Sequence, residues 1–371
     1  VRFEVRQQEP SDYRLAADFM NVRGMDLLLV QHEYGIFGGQ DGGHLLAMLR
    51  DVRMPVVTTM HTILRQPSDH LRAVTEELAN LSDRIVVMSS RALDILQEVY
   101  HISPSKLATI PHGIPDVPFV DPSFYKDQFG VEGRTVVLTF GLLSPGKGIE
   151  YVIQALPKLI NNHPELIYIV LGATHPNVKK SRGEEYRHKL QHLAEDLGVL
   201  DYVMFQDRFV DLDELCEFLG AADIYITPYL GEEQVVSGTL AYALGAGNAV
   251  ISTPYSFAKE VLAEDRGRLV PFRDSDAIAN EVEALLADDV RRHSMRKRAY
   301  FFTRDFVWRQ VALSYLDVFR SVRVQPSTRR QHVSHGTSEA TSVLHAVPEL
   351  TLDHLRVLTD DVGILQHACY T

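Results

Sequence analysis

Short apolar runs closed by polar turns, each followed by an amphipathic stretch, recur along most of the chain. Runs over Met25–Gln31, Pro55–Met60, Arg84–Met88, Leu107–Ile110, Thr135–Phe140, Leu166–Leu171, Tyr202–Phe205, Asp223–Thr227, Ala249–Ser252 and Arg268–Val270 predict strands. Three of them are apolar on both faces: Ile85-Val-Val-Met88, Val136-Val-Leu138 and Leu166-Ile-Tyr-Ile-Val-Leu171. Strands of that kind belong in parallel sheets covered by helices. Helical periodicity falls between them, over Ser68–Asn80, Ser90–Tyr100, Gly148–Asn161, Glu184–Leu197, Leu212–Leu219 and Ser275–Ala287. The alternation predicts α/β architecture with doubly wound sheets.

The series breaks at 111–133, where Pro111, Pro115, Pro118 and Pro122 mark a connection. The expected organisation is a first domain at 1–117, a linker at 118–133 and a second domain at 134–305. Past Val324 the composition turns to Ser, Thr, Gln, His and Arg, which predicts an exposed linker to 347. Residues 348–371 resume an apolar pattern and read as the opening of a further domain. At the other end, residue 1 is Val, and Val1–Gln7 alternates like a strand already in progress, so the chain is expected to be a piece of a longer one.

Composition narrows the classes. The 371 residues are 45% hydrophobic and 23% charged, ordinary for a globular protein and unlike a collagen or coiled coil. No apolar run approaches the roughly 20 residues of a membrane helix, and a secretion leader is not expected. Cys216 and Cys369 cannot form a disulfide framework, and no His/Cys spacing suits zinc, so no metal site and a cytoplasmic setting are expected. The net charge of −12 argues against nucleic acid as a partner, yet leaves room for a phosphate-bearing small ligand.

Candidate chemistry gathers at strand ends. Leu138-Thr-Phe-Gly-Leu-Leu-Ser-Pro-Gly-Lys-Gly148 runs from a buried strand through Gly141 and Ser144 to Lys147 at a helix start. Free backbone amides and one lysine there suit a phosphate, although the P-loop spacing is missing. Thr227-Pro-Tyr-Leu-Gly-Glu-Glu-Gln-Val-Val-Ser-Gly-Thr239 ends a second strand and opens a small-residue helix. Ser237, Gly238 and Thr239 offer a cap and hydroxyl donors for an anion. In the first half His61, His32 with Glu33, and His112 each follow a predicted strand, and Gly38 and Gly39 lie in the glycine-rich stretch after Glu33. Ligands bind at such edges in parallel sheets.

Assembled, these segments resemble the retaining glycosyltransferases of family 4 (group 1), which have the GT-B fold of two Rossmann-like domains facing a cleft. The resemblance runs from about Asp26 to Phe319. It rests on Pro55-Val-Val-Thr-Thr-Met-His61, Ser82-Asp-Arg-Ile-Val-Val-Met-Ser-Ser90, Ala108-Thr-Ile-Pro-His-Gly113 and Phe140-Gly-Leu-Leu-Ser-Pro-Gly-Lys-Gly148. Further pieces are Ala221-Ala-Asp-Ile-Tyr-Ile-Thr-Pro228, Ala243-Leu-Gly-Ala-Gly-Asn-Ala-Val-Ile-Ser-Thr253 and Gly267-Arg-Leu-Val-Pro271. It implies a final helix at 306–323 crossing back to the first domain, and a first strand and glycine-rich loop preceding residue 1.

By the same resemblance, Lys147 neutralises the departing diphosphate, His61 contacts the donor sugar and Gly141 tips the donor-binding strand. Gly141, Ser144, Lys147, Glu233, Gln234, Ser237, Gly238 and Thr239 form the donor side; His32, Glu33, Gly38, Gly39 and His112 form the acceptor side. Two departures stand out. Leu142 replaces the arginine usual after that glycine, and the paired glutamates of the family align with Gln234 and Tyr242, with Glu233 adjacent.

The expected activity is metal-independent transfer of a hexose, with retention, from a nucleoside diphosphate sugar to a hydroxyl of a sugar or glycan. No cofactor is expected, since the nucleotide sugar is a substrate. Alternatives are another enzyme on the scaffold, an epimerase or phosphorylase, or a nucleotide-sugar binding module joined to a carbohydrate-processing domain. The segment from Leu350 resembles the start of such a domain.

Overall fold

The computed structural model describes residues 3–324 as two α/β domains. In the first, α1 (Pro10–Arg23), β1 (Leu28–His32), α2 (His44–Asp51), β2 (Val56–Met60), α3 (Asp69–Leu81), β3 (Arg84–Val87), α4 (Ser90–Glu98) and β4 (Leu107–Thr109) follow in order. The four strands are parallel and lie side by side in chain order. Period-two alternation divides the sheet between two cores. Val56, Ile85 and Val87 face one core, while Val57 and Val86 face the other.

The second domain comprises β5 (Thr135–Phe140), α5 (Ile149–Asn162), β6 (Leu166–Leu171), α6 (Pro176–Arg182), α7 (Glu185–Asp196), β7 (Val203–Gln206), α8 (Leu212–Ala221), β8 (Ile224–Thr227), α9 (Gly238–Gly245), β9 (Ala249–Ser252), α10 (Ser256–Val261), β10 (Arg268–Leu269), α11 (Ser275–Ala287) and α12 (Asp289–Phe302). Its parallel sheet has the order β10-β9-β8-β5-β6-β7. The chain winds outward from β5 to β7, then restarts on the other side of β5 with β8. That reversal opens a crevice between the ends of β5 and β8, where an α/β sheet binds its ligand.

The last helix, α13 (Trp308–Val324), returns to the first domain. Val311 and Val322 cover Val57, Val86 and Ile110, and the Tyr315 and Thr59 hydroxyls are 2.8 Å apart. Ile114 and Val307 pair at the crossing, with Ile114 N–H to Phe306 O at 2.9 Å and Trp308 N–H to Ile114 O at 3.0 Å.

Two findings modify the sequence reading. The alternation at the start is no strand in the described residues: 3–9 are irregular, and Pro10 opens α1. Arg6 explains this, because its backbone N–H and guanidinium both bind Asp12 in the helix's first turn. Phe3 packs on Phe19 instead of on a neighbouring strand. The connection after Pro111 is also firmly seated on the second domain. Phe119 lies between His293 and Tyr300, the Val120 carbonyl accepts from Arg296 at 2.7 Å, and Val131 is buried. The expected linker at 324–347 and further domain at 348–371 fall outside the described residues. Among the described residues no helix is long and apolar enough to cross a membrane.

Candidate functional site

Lys147 ends a tight turn after β5, and its Nζ stands 3.9 Å from the ring centroid of Tyr229, just after β8. An ammonium over an aromatic face is attracted by the ring quadrupole, which orients the chain without neutralising its charge. The backbone fixes this pairing. Leu230 N–H donates to Gly146 O at 2.9 Å, and Gly148 takes φ +65° with Pro228 O where a side chain would begin. Gly141 (φ +135°) lies against Thr239, so the β5 turn approaches α9 closely.

The start of α9 supplies the neutral donors. Ser237 caps it, its Oγ accepting from Leu240 N–H at 3.3 Å. The Thr239 hydroxyl lies 2.8 Å from Tyr229 Oη and 3.1 Å from Ser237 Oγ. The first amides of a helix have no intrahelical acceptor, and the helix dipole adds partial positive charge there. Lys147, Gly141 and Ser237–Thr239 thus lie together at one crevice whose lysine and helix amides suit a diphosphate. Ser144 lies in the turn before Lys147, its carbonyl accepting from Lys147 N–H at 2.9 Å.

Across the crevice, His112 follows β4 and faces that helix end. A Cβ on Gly238 would sit 2.9 Å from its Nε2, and its ring meets Tyr242 edge-on at 5.9 Å. His112 Nδ1 donates to Gly113 O at 2.8 Å, which fixes Nδ1 as the protonated nitrogen of the neutral ring. His61 follows β2, with Nε2 2.8 Å from Gln31 Oε1. Burial lowers the pKa of His61, and the nearby His112 lowers it further; burial also lowers His112, against a smaller opposing effect of the Gly113 carbonyl. Both rings are therefore neutral near pH 7.

The remaining candidates separate. Glu33 accepts from the Thr62 hydroxyl at 2.7 Å, next to His61, and burial raises its pKa. His32 is 1% exposed, stacked on Phe37 and edge-on to Tyr34, so it forms part of the domain wall; burial lowers its pKa to about 4. Gly38 and Gly39 are drawn to the N-terminal segment: Gly38 N–H donates to Tyr13 Oη at 2.8 Å and Gly39 N–H to Gln8 Oε1 at 3.3 Å. Gln234 turns its amide to Val236 O at 2.8 Å, while Glu233 is exposed. Tyr229 and Gln31 join the site without a motif of their own; an aromatic immediately after the Thr227-Pro turn is the sequence signal for the first.

Two Rossmann-like domains, a switch-point crevice with a lysine, and a terminal helix that crosses back define the GT-B class. Comparison with known proteins agrees. Residues 123–301 match Glycosyl transferases group 1, and residues 2–116 match Glycosyltransferase Family 4. Each of the two domains thus matches a glycosyltransferase family model.

A phosphatidyl-myo-inositol mannosyltransferase of Mycolicibacterium smegmatis is 30% identical over 59% of this chain, and the match spans 53% of that protein. A D-inositol 3-phosphate glycosyltransferase of Corynebacterium glutamicum is 27% identical over 76% of this chain and 69% of its own. Among solved structures, a glycosyltransferase from Rickettsia africae superposes with TM-score 0.70 at 15% identity, covering 88% of this chain and 85% of its own. Anabaena HepE in complex with UDP gives 0.69 at 18% identity, covering 84% and 82%. Among the described residues no group of three or more His, Cys, Asp and Glu could hold a metal ion.

Proposed function

We propose that the protein transfers a hexose from a nucleoside diphosphate sugar to a hydroxyl acceptor, with retention and without a metal. The observation that carries this reading is Lys147, held over Tyr229 beside the free amides of α9 and opposite His61 and His112. As the bond from the sugar's anomeric carbon to the diphosphate breaks, negative charge grows on the departing phosphate. In this reading the Lys147 ammonium and the Gly238 and Thr239 amides, held in place before the reaction, stabilise that charge. The acceptor oxygen bonds to the anomeric carbon from the departing side, and its proton passes to a phosphate oxygen. His61, being neutral, can hydrogen-bond sugar hydroxyls without adding a cation beside Lys147.

The test is donor hydrolysis and transfer by the full chain and its Lys147→Ala variant. Loss of one preorganised donor to the developing charge costs on the order of 100- to 1000-fold in kcat. Equal turnover would overturn the role of Lys147, and loss of turnover on chelation would overturn metal independence. Gln234 and Tyr242, standing where the family has glutamates, favour one second reading: a module that binds the nucleotide sugar without reacting it. Tight binding with no turnover by the wild-type chain would select that reading.

A further inference from the structure

The loop Glu232–Ser237 begins and ends in the second domain, yet its middle residue is buried in the first. Val235 is 5% exposed and belongs to the core of the first domain that also contains Ile95 and Leu96 of α4. Ser89, 1% exposed, holds it there: its hydroxyl donates to Val235 O at 2.8 Å, while Ser89 Oγ accepts from Ala92 N–H at 3.2 Å. Glu260 of α10 reaches the same helix end from the second domain. Its Oε1 accepts from Ser90 N–H at 3.0 Å and its Oε2 from Arg91 N–H at 3.4 Å.

The first three amides of α4 are therefore satisfied by one serine of their own domain and one carboxylate of the other. A carboxylate is well placed at a helix N-terminus, where the dipole is positive. The loop is tied equally to α10, through Ser256 N–H to Glu232 O at 2.9 Å and Phe257 N–H to Gln234 O at 3.0 Å. Its last residue, Ser237, caps α9, and Gly238 against His112 and Thr239 on Tyr229 follow at once.

We infer that Ser89 and Glu260 are positioning residues: they latch the domains together through the 232–237 loop, so that domain closure and assembly of the diphosphate cradle are one event. The inference rests on the donor-transfer reading above. Neither side chain touches the reacting atoms: Ser89 acts through the Val235 carbonyl, two residues from the cap of α9, and Glu260 through the α4 amides.

The experiment uses the full-length protein and its Ser89→Ala, Glu260→Ala and Glu260→Gln variants. UDP, GDP and ADP are titrated separately by calorimetry, donor KM and kcat are measured, and small-angle scattering gives the radius of gyration of the free protein. Losing the charge-assisted bonds of Glu260 raises the diphosphate Kd and donor KM about tenfold. The kcat at saturation is retained, the free protein expands, and Glu260→Gln is intermediate because one acceptor oxygen remains. A merely structural role would lower the melting temperature without expanding the folded protein or separating KM from kcat. Wild-type Kd, KM and radius in all three variants would overturn the latch, whatever Lys147→Ala does. Failure of the wild-type chain to bind any of the three diphosphates would overturn the transfer reading instead, with the radius of gyration still deciding the latch.

Discussion

The two sheet edges that face the crevice are built from similar βα units but carry opposite equipment. In the second domain the strand order reverses at β5, which parts the helices on either side and leaves Lys147, over Tyr229, and the first amides of α9 at the gap. In the first domain β1 to β4 run in sequence with no reversal, and the polar residues after them largely satisfy one another: His61 with Gln31, Glu33 with Thr62, His112 with Gly113. One edge offers a positive charge with no carboxylate partner among the described residues, and the other neutral, prearranged hydrogen-bonding groups. In the proposed reaction, a charged leaving group and a neutral sugar ask for that division of labour.

The largest expected effect falls on the charged edge. Lys147→Ala lowers kcat by roughly 100- to 1000-fold, equivalent to about 3–4 kcal/mol of transition-state stabilisation. His61→Ala, on the neutral edge, should cost less than Lys147→Ala when the two are assayed side by side. If it costs more, the contrast between the edges is wrong.

Gly148→Ala comes next. Its φ of +65° disfavours any side chain, and a Cβ would fall 2.1 Å from Pro228 O, so the turn must move. Denaturant unfolding should show a loss of about 2–4 kcal/mol, with diphosphate affinity falling in the folded protein. Gly146→Ala, where a Cβ meets nothing within 4 Å, is the control and should be near neutral.

A pH effect belongs to the first domain. His32 binds its proton with a pKa of about 4 in the folded chain against 6.5 unexposed to burial. Between those values the unfolded state takes up the proton that the folded state refuses, so stability is full above about pH 6.5 and falls as pH drops toward 4. The loss attributable to His32 approaches about 3 kcal/mol once both states are protonated. His32→Phe, which keeps the stack on Phe37 and removes the titration, should flatten the pH dependence of the denaturation midpoint in that window. An unchanged slope would show that His32 is not its source.

The smallest expected effect is at the crossover helix. Tyr315→Phe removes the hydroxyl contact with Thr59 and should cost about 1 kcal/mol in unfolding free energy with little change in kcat.

What could be read in the sequence followed from local patterns. The doubly apolar runs of β5, β6 and β3 and the turn residues after β5 and β8 placed the sheets and Lys147 because burial on both faces and a strand-to-helix turn leave local marks. Helix α1 left little mark: it buries only Asp12, Tyr13, Ala16 and Ala17, with no strong apolar stripe. The partners of the site were out of reach for a different reason. Ser89 meets Val235 across 146 positions, and the ring of Tyr229 under Lys147 depends on how β8 was inserted beside β5. Pairings of that kind are decided by topology, and a periodicity of two or 3.6 residues carries no record of them.

The central claim is that the β5–β8 crevice holds a diphosphate through Lys147. Its most direct test is calorimetric titration of the full chain and of Lys147→Ala with UDP, GDP and ADP, each against the matching nucleoside. The account predicts that at least one diphosphate binds the wild-type chain far more tightly than its nucleoside, and that Lys147→Ala removes most of that difference. The same preference for the diphosphate in both proteins would contradict it.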